Sequence, residues 1–129
     1  MYILVVDDDQ FANALVKFVL IKEGYEVETL DSPRNAMPLI QKREPDLLLL
    51  DITMPKMNGC QLAQELRSQT RFNAALLVAV TGWPDTAHRL LCAEAGFDHY
   101  LIKPVELSVL EQLLLFQQHR LVKSRETFS

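Results

Sequence analysis

Residues 3–9 read Ile-Leu-Val-Val-Asp-Asp-Asp, which is an apolar run followed directly by three carboxylates. The run is too short for a self-burying helix, and its composition is typical of a strand covered on both faces. Two more runs, residues 47–50 and 75–80, have the same character, and Asp51 follows the first of them. The three runs predict the central strands of a parallel sheet.

The remaining segments predict the edges of that sheet and the helices between its strands. Residues 25–29 alternate apolar with charged side chains, and residues 100–102 form a short run between His99 and Lys103, so both suit edge strands. Apolar residues also recur at helical spacing, as Phe11, Leu15, Phe18 and Val19 in one stripe and Leu62 and Leu66 in another. Five strands alternating with five helices predict an open, doubly wound α/β fold.

Turn residues agree with this alternation at most positions. Helix starts are indicated at Ser32-Pro33, Asn58-Gly59 and Pro84, and helix ends at Gly24 and Gly96. Pro38 conflicts with the second helix, where it costs about 3 kcal/mol unless the helix kinks or begins late.

Composition limits the classes of protein that the chain can represent. The 129 residues, 49% of them apolar, suit one domain over residues 1–121 with a polar C-terminal tail over residues 122–129. A net charge of −4 argues against direct binding of nucleic acid by this chain. Cys60 and Cys92, with no leader and no apolar span, indicate free thiols in a reduced cytoplasmic compartment without membrane insertion.

Polar residues follow the predicted strands at their carboxyl ends, where ligands bind in open α/β sheets. They are Asp7-Asp8-Asp9, Asp51, Thr81-Gly82 and Lys103-Pro104. Converging carboxylates repel by roughly 4 kcal/mol per pair at an effective dielectric near 20, so they require a cation. An all-oxygen set suits Mg²⁺ and tolerates Mn²⁺. Together with a hydroxyl and an ammonium, the metal would suit a transferring phosphoryl group, with a carboxylate as nucleophile.

With these motifs the chain resembles the receiver domain of two-component response regulators, including the single-domain chemotaxis regulator, over about residues 2 to 120. The motifs are Val5-Val6-Asp7-Asp8, Leu50-Asp51-Ile52-Thr53-Met54-Pro55 with Met57-Asn58-Gly59, Val80-Thr81-Gly82, and Tyr100-Leu101-Ile102-Lys103-Pro104. The resemblance implies the flavodoxin-like strand order 2-1-3-4-5. It also implies a phosphorelay protein that catalyses only its own phosphorylation and dephosphorylation.

The resemblance assigns roles to individual residues. Asp51 would accept the phosphoryl group from a phosphohistidine. Mg²⁺ would be held by Asp7, Asp8, Asp51 and the Thr53 carbonyl, and the phosphoryl group by Thr81, Gly82 and Lys103. Thr81 and Tyr100 would switch the surface formed by the fourth helix, fifth strand and fifth helix. The Lys103-Pro104 bond would be cis. Asp9 is expected to cap the first helix, and Trp83 is expected to slow dephosphorylation by limiting the access of water.

The implied partners are a histidine kinase or histidine phosphotransfer protein, and a downstream protein or fused domain. The last helix carries more apolar residues than one stripe requires, so part of it is expected to stay uncovered and to dock a partner, including a second copy as a homodimer. Those residues are Leu107, Val109, Leu110, Leu113, Leu114, Leu115, Phe116 and Leu121.

Three alternatives remain open. A haloacid-dehalogenase-like phosphatase would use Asp7 as nucleophile, although its acid-x-acid motif continues to Thr or Val at the position where this chain has Phe11. A non-phosphorylated docking receiver is the second, although no acid or lysine of the site is missing. A flavin-binding electron carrier is the third, although three carboxylates occupy the turn where its phosphate would bind.

Overall fold

The computed structural model describes residues 1–52, 59–82 and 86–128. The strands are β1 (Tyr2–Val6), β2 (Glu26–Leu30), β3 (Leu47–Asp51), β4 (Leu76–Thr81) and β5 (His99–Ile102). The helices are α1 (Gln10–Lys22), α2 (Ala36–Lys42), α3 (Gly59–Arg67), α4 (Thr86–Ala95) and α5 (Leu107–Phe128). The expectations for Thr53, Asn58, Trp83 and Pro84 lie outside the described residues.

The strands form one parallel sheet in the order β2-β1-β3-β4-β5. β1, β3 and β4 are buried along their whole length, whereas β2 and β5, at the edges, are partly exposed. The helices cover both faces, since separate clusters of buried side chains lie on the two sides of the sheet. The predicted doubly wound fold, its strand order and its edge strands are therefore confirmed.

The predicted apolar stripe of α1 is wrong at three of its four residues, whereas the fourth, Val19, is half-buried. Phe11, Leu15 and Phe18 are 82%, 59% and 68% exposed, while Asn13 and Leu20 are the buried residues of the helix. Asn13 faces inward because its side-chain amide donates hydrogen bonds to the carbonyls of Asp7 (2.8 Å) and Leu30 (3.3 Å). The side of α1 that packs on the sheet therefore carries Asn13 and Leu20, and Phe11 and Phe18 stay largely exposed.

The start of α2 resolves the conflict at Pro38. The Ser32 hydroxyl accepts a hydrogen bond from the Arg34 amide, and a short 3₁₀ helix covers Pro33–Asn35. The α-helix begins only at Ala36, so Pro38 lies in its first turn, where a backbone N–H has no intrahelical acceptor. The late start therefore accommodates this proline.

Helix α5 combines a buried and an uncovered face. Leu110 and Leu114 are buried, while Leu115 and Phe116 are 63% and 51% exposed, as expected for a helix with surplus apolar residues. Gln117 is buried as well, because its amide donates to the carbonyls of Asp46 and Ala74. The helix continues to Phe128, so residues 122–128 extend it and do not form a separate non-helical tail.

Helices α3 and α4 are joined at their carboxyl ends by Arg67. Its guanidinium donates to the Gly96 carbonyl (3.0 Å), the Phe72 carbonyl (3.0 Å) and the Asp98 carboxylate (2.6 Å). Gly96, directly after α4, has a φ of +111°, and a Cβ there would lie 2.5 Å from the Arg67 Cγ. The end of α4 therefore requires a glycine for both conformation and space.

We expect Gly96→Ala to lower the free energy of unfolding by about 3 kcal/mol, since it adds left-handed strain and displaces a hydrogen-bonded arginine. Gly24→Ala is the matched control, because Gly24 ends α1 with a φ of +95° but a Cβ there meets nothing within 4 Å. It should cost about 1 kcal/mol. Urea denaturation of both variants checks the difference, and equal costs would contradict the role given to Arg67.

Cys60 and Cys92 are free thiols. Among residues 1–52, 59–82 and 86–128, the structure has no helix with the length and apolarity needed to cross a membrane.

Candidate functional site

The polar residues predicted to meet do so at the carboxyl edge of the sheet. Asp7 follows β1, Asp51 and Thr81 are the last residues of β3 and β4, and Lys103 follows β5. Parallel pairing brings these ends together, and the Lys103 amide donates to the Thr81 carbonyl at 2.7 Å. The peptide bond between Lys103 and Pro104 is cis.

Asp51 and Lys103 form the centre of the site. The Lys103 Nζ lies 2.7 Å from Asp51 Oδ2 and 3.3 Å from Asp7 Oδ2. Asp51 is 2% exposed, whereas the lysine side chain is about one-third exposed. Burial alone would lower the pKa of Lys103, but the hydrogen bond and charge of Asp51, and then the charge of Asp7, outweigh burial and raise it. The ammonium therefore stays protonated between two carboxylates.

The three carboxylates of Asp7, Asp8 and Asp51 can each present one oxygen so that these oxygens lie within 4.8 Å of one another. Asp7 and Asp51 are buried and Asp8 is exposed, so the cluster faces solvent on one side. Burial raises the pKa of Asp7, although the Asp9 amide lowers it through a 2.9 Å hydrogen bond, and the neighbouring charge of Asp51 raises it further. The cluster is thus short of positive charge and offers only oxygen donors, which suits a hard divalent cation.

The turn that carries the acids is fixed from two sides. The Asp9 carboxylate caps α1 by accepting from the amides of Phe11 and Ala12, which confirms the predicted cap. Asn13 holds the Asp7 carbonyl from inside the helix. Sequence reasoning missed Asn13, because a polar residue between apolar positions is expected to face water.

Thr81, Gly82 and Tyr100 lie on the side of the site nearest β5. Thr81 is fully buried, and Gly82 beside it is exposed. Tyr100 is half-buried against the core cluster that includes Ala79, and the Arg89 guanidinium of α4 lies over its ring at 5.3 Å. A residue that spans core and surface beside α4 is suited to report movement of that helix.

A cavity of about 460 Å³ extends from the carboxylates between α1 and α5. Its polar end is formed by Asp7, Asp9, Asp51 and Lys103, and most of the remaining wall is apolar. The cavity gives Asp51 open space on the side where a small anionic group could approach Lys103.

In metal-free buffer we expect Asp7→Asn to raise the free energy of unfolding by about 1 kcal/mol, because it removes a buried charge next to Asp51. The raised pKa of Asp7 indicates the same direction of effect. Protonated Asp7 contributes stability to the fold, and this contribution is lost as pH rises through the folded-state pKa and the carboxyl group becomes charged. Denaturation with EDTA and with Mg²⁺ checks this. The variant should gain less than the parent from Mg²⁺, and an equal gain would contradict a metal-binding role for Asp7.

Residues 3–115 match the family described as the response regulator receiver domain. The sensor histidine kinase RcsC of Escherichia coli is 33% identical to this chain. The aligned region includes 98% of this chain but only 13% of the length of the kinase. The DNA-binding response regulator MtrA of Mycolicibacterium paratuberculosis is 35% identical over 79% of the chain, which covers 44% of MtrA. The chain thus spans less than half the length of both relatives.

Among solved structures, the chemotaxis protein CheY4 of Vibrio cholerae superposes with a TM-score of 0.81 and 27% identity, covering 88% of this chain and 95% of CheY4. The family match, the fold and the motifs at the strand ends agree. The chain therefore belongs to the response regulator receiver domain family, the two-component signalling domains that work with histidine kinases and downstream effector domains.

Proposed function

We propose that Asp51 accepts a phosphoryl group from a phosphohistidine and that the chain passes this signal on through the surface formed by α4, β5 and α5. The observation that carries the proposal is the buried Asp51 carboxylate, which ends a central strand 2.7 Å from the Lys103 ammonium. Its neighbours Asp7 and Asp8 complete an all-oxygen cluster.

The transfer is a displacement at phosphorus. An Asp51 carboxylate oxygen attacks the phosphorus, the N–P bond of the phosphohistidine breaks, and the imidazole leaves with the electron pair and takes up a proton. The product is an acyl phosphate on Asp51. Hydrolysis by water later returns the carboxylate and releases inorganic phosphate, so the chain acts only on its own phosphoryl group.

The residues present fit Mg²⁺, with Mn²⁺ as a substitute. Asp7, Asp8 and Asp51 would hold the ion, together with the carbonyl of Thr53, which lies outside the described residues. When bound, the metal would neutralise part of the charge on the phosphoryl oxygens. Asp7 would act mainly through a water molecule on the ion.

The chain's own donors complete the binding of the phosphoryl group. Lys103 exchanges its contact with Asp51 for a phosphoryl oxygen, since its ammonium already lies beside the nucleophile. The Thr81 hydroxyl and the Gly82 amide supply further donors from the end of β4.

Switching follows from these contacts. Movement of Thr81 towards the phosphoryl group vacates space that the Tyr100 ring can enter. Entry of the ring into this space changes the contact between Tyr100 and Arg89 on α4. Inverting a strongly biased equilibrium requires about 5 kcal/mol of differential binding, which charge-assisted contacts of Thr81 and Lys103 can provide in part.

The remaining assignments rest on the family and on surface composition. The donor is a histidine kinase or histidine phosphotransfer protein in the cytoplasm, and the target is a downstream protein, a fused domain or a second copy docking on the uncovered face of α5. The chain itself makes no contact with nucleic acid in this proposal, because its net charge is −4.

Labelling with a small phosphoryl donor tests the function directly. Incubation with phosphoramidate and Mg²⁺ should add one phosphoryl group per chain by mass spectrometry, and EDTA should abolish the addition. Absence of labelling under both conditions would favour the docking receiver. Rapid multiple turnover of a phosphate ester, with Asp7 as nucleophile, would favour the phosphatase.

A further inference from the structure

Asn13 is a buried amide on α1 that binds two backbone carbonyls at the carboxyl edge of the sheet. Its Nδ2 donates to the Asp7 carbonyl at 2.8 Å and to the Leu30 carbonyl at 3.3 Å. Because both partners are acceptors, the amide group must present its nitrogen to them and not its oxygen. The Oδ1 atom is buried and receives no hydrogen bond from the residues that the structure describes. The contribution of this amide is therefore the donation of its two hydrogens.

These contacts restrain the backbone of Asp7 on both sides of its Cα atom. The Asp7 N–H donates to the Leu30 carbonyl at 3.0 Å, and the Asp7 carbonyl accepts from Asn13. The Asp7 carboxylate is then held by the Asp9 N–H at 2.9 Å and by the Lys103 ammonium at 3.3 Å. The direction of the Asp7 side chain is thus set first by the backbone and then by its own contacts.

The peptide group that Asn13 holds joins two acids of the cluster. The Asp7 carbonyl lies in the plane of the bond between Asp7 and Asp8, so a hydrogen bond to its oxygen limits rotation of that plane. Asp51 is placed separately, as the last residue of β3. Oxygens of the three carboxylates come within 4.8 Å of one another. Their convergence therefore depends on the orientation of the peptide between Asp7 and Asp8.

We propose that Asn13 is a positioning residue for the divalent cation, since its amide holds this peptide so that the carboxylates of Asp7 and Asp8 face the ion together with Asp51. The inference rests on the metal site of the proposed function. Groups that orient metal ligands from behind commonly change metal affinity by about 10- to 100-fold. Asn13 donates to the backbone and not to a carboxylate oxygen, so we expect the lower end of this range.

Gln117 on α5 provides a matched control. It is also a buried amide, and its Nε2 donates to the carbonyls of Asp46 and Ala74 at 2.7 and 2.8 Å. Its Oε1 likewise receives no hydrogen bond within the described part of the chain. Asp46 and Ala74 precede β3 and β4, so these contacts lie at the amino edge of the sheet, opposite the acids. Removal of either amide costs the fold two hydrogen bonds, but the amide of Gln117 is remote from the cluster.

Titration of the full chain with Mn²⁺ tests the proposal without any phosphoryl donor. Electron paramagnetic resonance measures free Mn²⁺, and circular dichroism confirms that the parent chain, Asn13→Leu and Gln117→Leu are folded. We expect Mn²⁺ to bind about 10-fold more weakly to Asn13→Leu and with the affinity of the parent to Gln117→Leu. Equal affinities of Asn13→Leu and the parent, or equal losses in both variants, would overturn the positioning role.

The parent chain separates this inference from the metal site itself. A parent chain that binds no Mn²⁺ would overturn the proposed metal site and the role of Asn13 together. A parent chain that binds Mn²⁺ as tightly as Asn13→Leu does would overturn the role of Asn13 alone.

Nuclear magnetic resonance of the parent chain keeps the test independent of whether Asn13→Leu folds. Mg²⁺ should shift the side-chain amide signals of Asn13, because their acceptor lies in the peptide between two metal-binding acids, and should leave those of Gln117 unchanged. In folded Asn13→Leu, the Asp9 amide that donates to Asp7 Oδ1 should exchange with solvent faster than in the parent. Asn13 side-chain signals that do not respond to Mg²⁺ would overturn the proposal.

Discussion

Asp51→Asn should abolish labelling by phosphoramidate, because an amide oxygen is a poor nucleophile and cannot form a stable acyl phosphate. The substitution keeps the size of a side chain that is 2% exposed at the end of β3, so the fold is retained. Intact-mass spectrometry before and after incubation with the donor and Mg²⁺ measures the effect. We expect no detectable added phosphoryl group under conditions that label the parent chain fully.

Asp9→Asn is the matched control for this experiment. Asp9 belongs to the same acidic run, but its carboxylate is exposed and caps α1, a role that asparagine also fills. Labelling of this variant should equal that of the parent. Labelling that persists in Asp51→Asn, or that moves to Asp7, would contradict the assignment of Asp51 as acceptor.

Lys103→Met should lower the free energy of unfolding by about 2 kcal/mol in EDTA, because it leaves the buried carboxylates of Asp51 and Asp7 without their ammonium. This figure is below that for a fully buried pair, since the lysine is about one-third exposed. Mg²⁺ should recover most of the loss, because a cation bound to the acids replaces the missing charge. Urea denaturation with and without the metal measures both effects.

The same variant should slow phosphoryl transfer about 100-fold, which is the usual loss on removing one donor from a transition-state site. Lys42→Met, an exposed change on α2, is the control for loss of a single positive charge and should alter neither quantity. Combining Lys103→Met with Asp7→Asn should restore part of the stability in EDTA. Equal destabilisation in EDTA and in Mg²⁺ would contradict a shared electrostatic role for the lysine and the metal.

The sheet and the polar ends of its strands could be predicted because they follow from local patterns. Continuous apolar runs identify central strands, and parallel pairing then brings whatever follows each strand to a common edge. Asp7, Asp51, Thr81 and Lys103 needed only this rule to be placed together. The capping role of Asp9 likewise depends on residues two and three positions further along the chain.

The orientation of α1 could not be predicted, since it depends on contacts between distant segments. The spacing of Phe11, Leu15 and Phe18 favours burial of the helix face that carries them. Two backbone carbonyls instead accept hydrogen bonds from Asn13, so the face that carries Asn13 is buried. Gln117 shows the same effect in α5, where its amide binds Asp46 and Ala74. Hydrophobic periodicity treats amides as solvent-facing, so it fails where carbonyl groups from other segments satisfy them.

Chain order and strand order differ in this sheet, and the ribosome delivers the elements in chain order. The acids following β1 and ending β3 are synthesised first, while Lys103 comes last, with the edge strand β5. A nascent chain that ends after β4 therefore holds the carboxylates without their internal cation and exposes β4, which is apolar except for Thr81, as an open edge. Addition of β5 covers that edge through pairs such as Thr81 with Ile102 and supplies the ammonium in the same step. Completion of the sheet during synthesis is thereby coupled to charge neutralisation at its carboxyl edge.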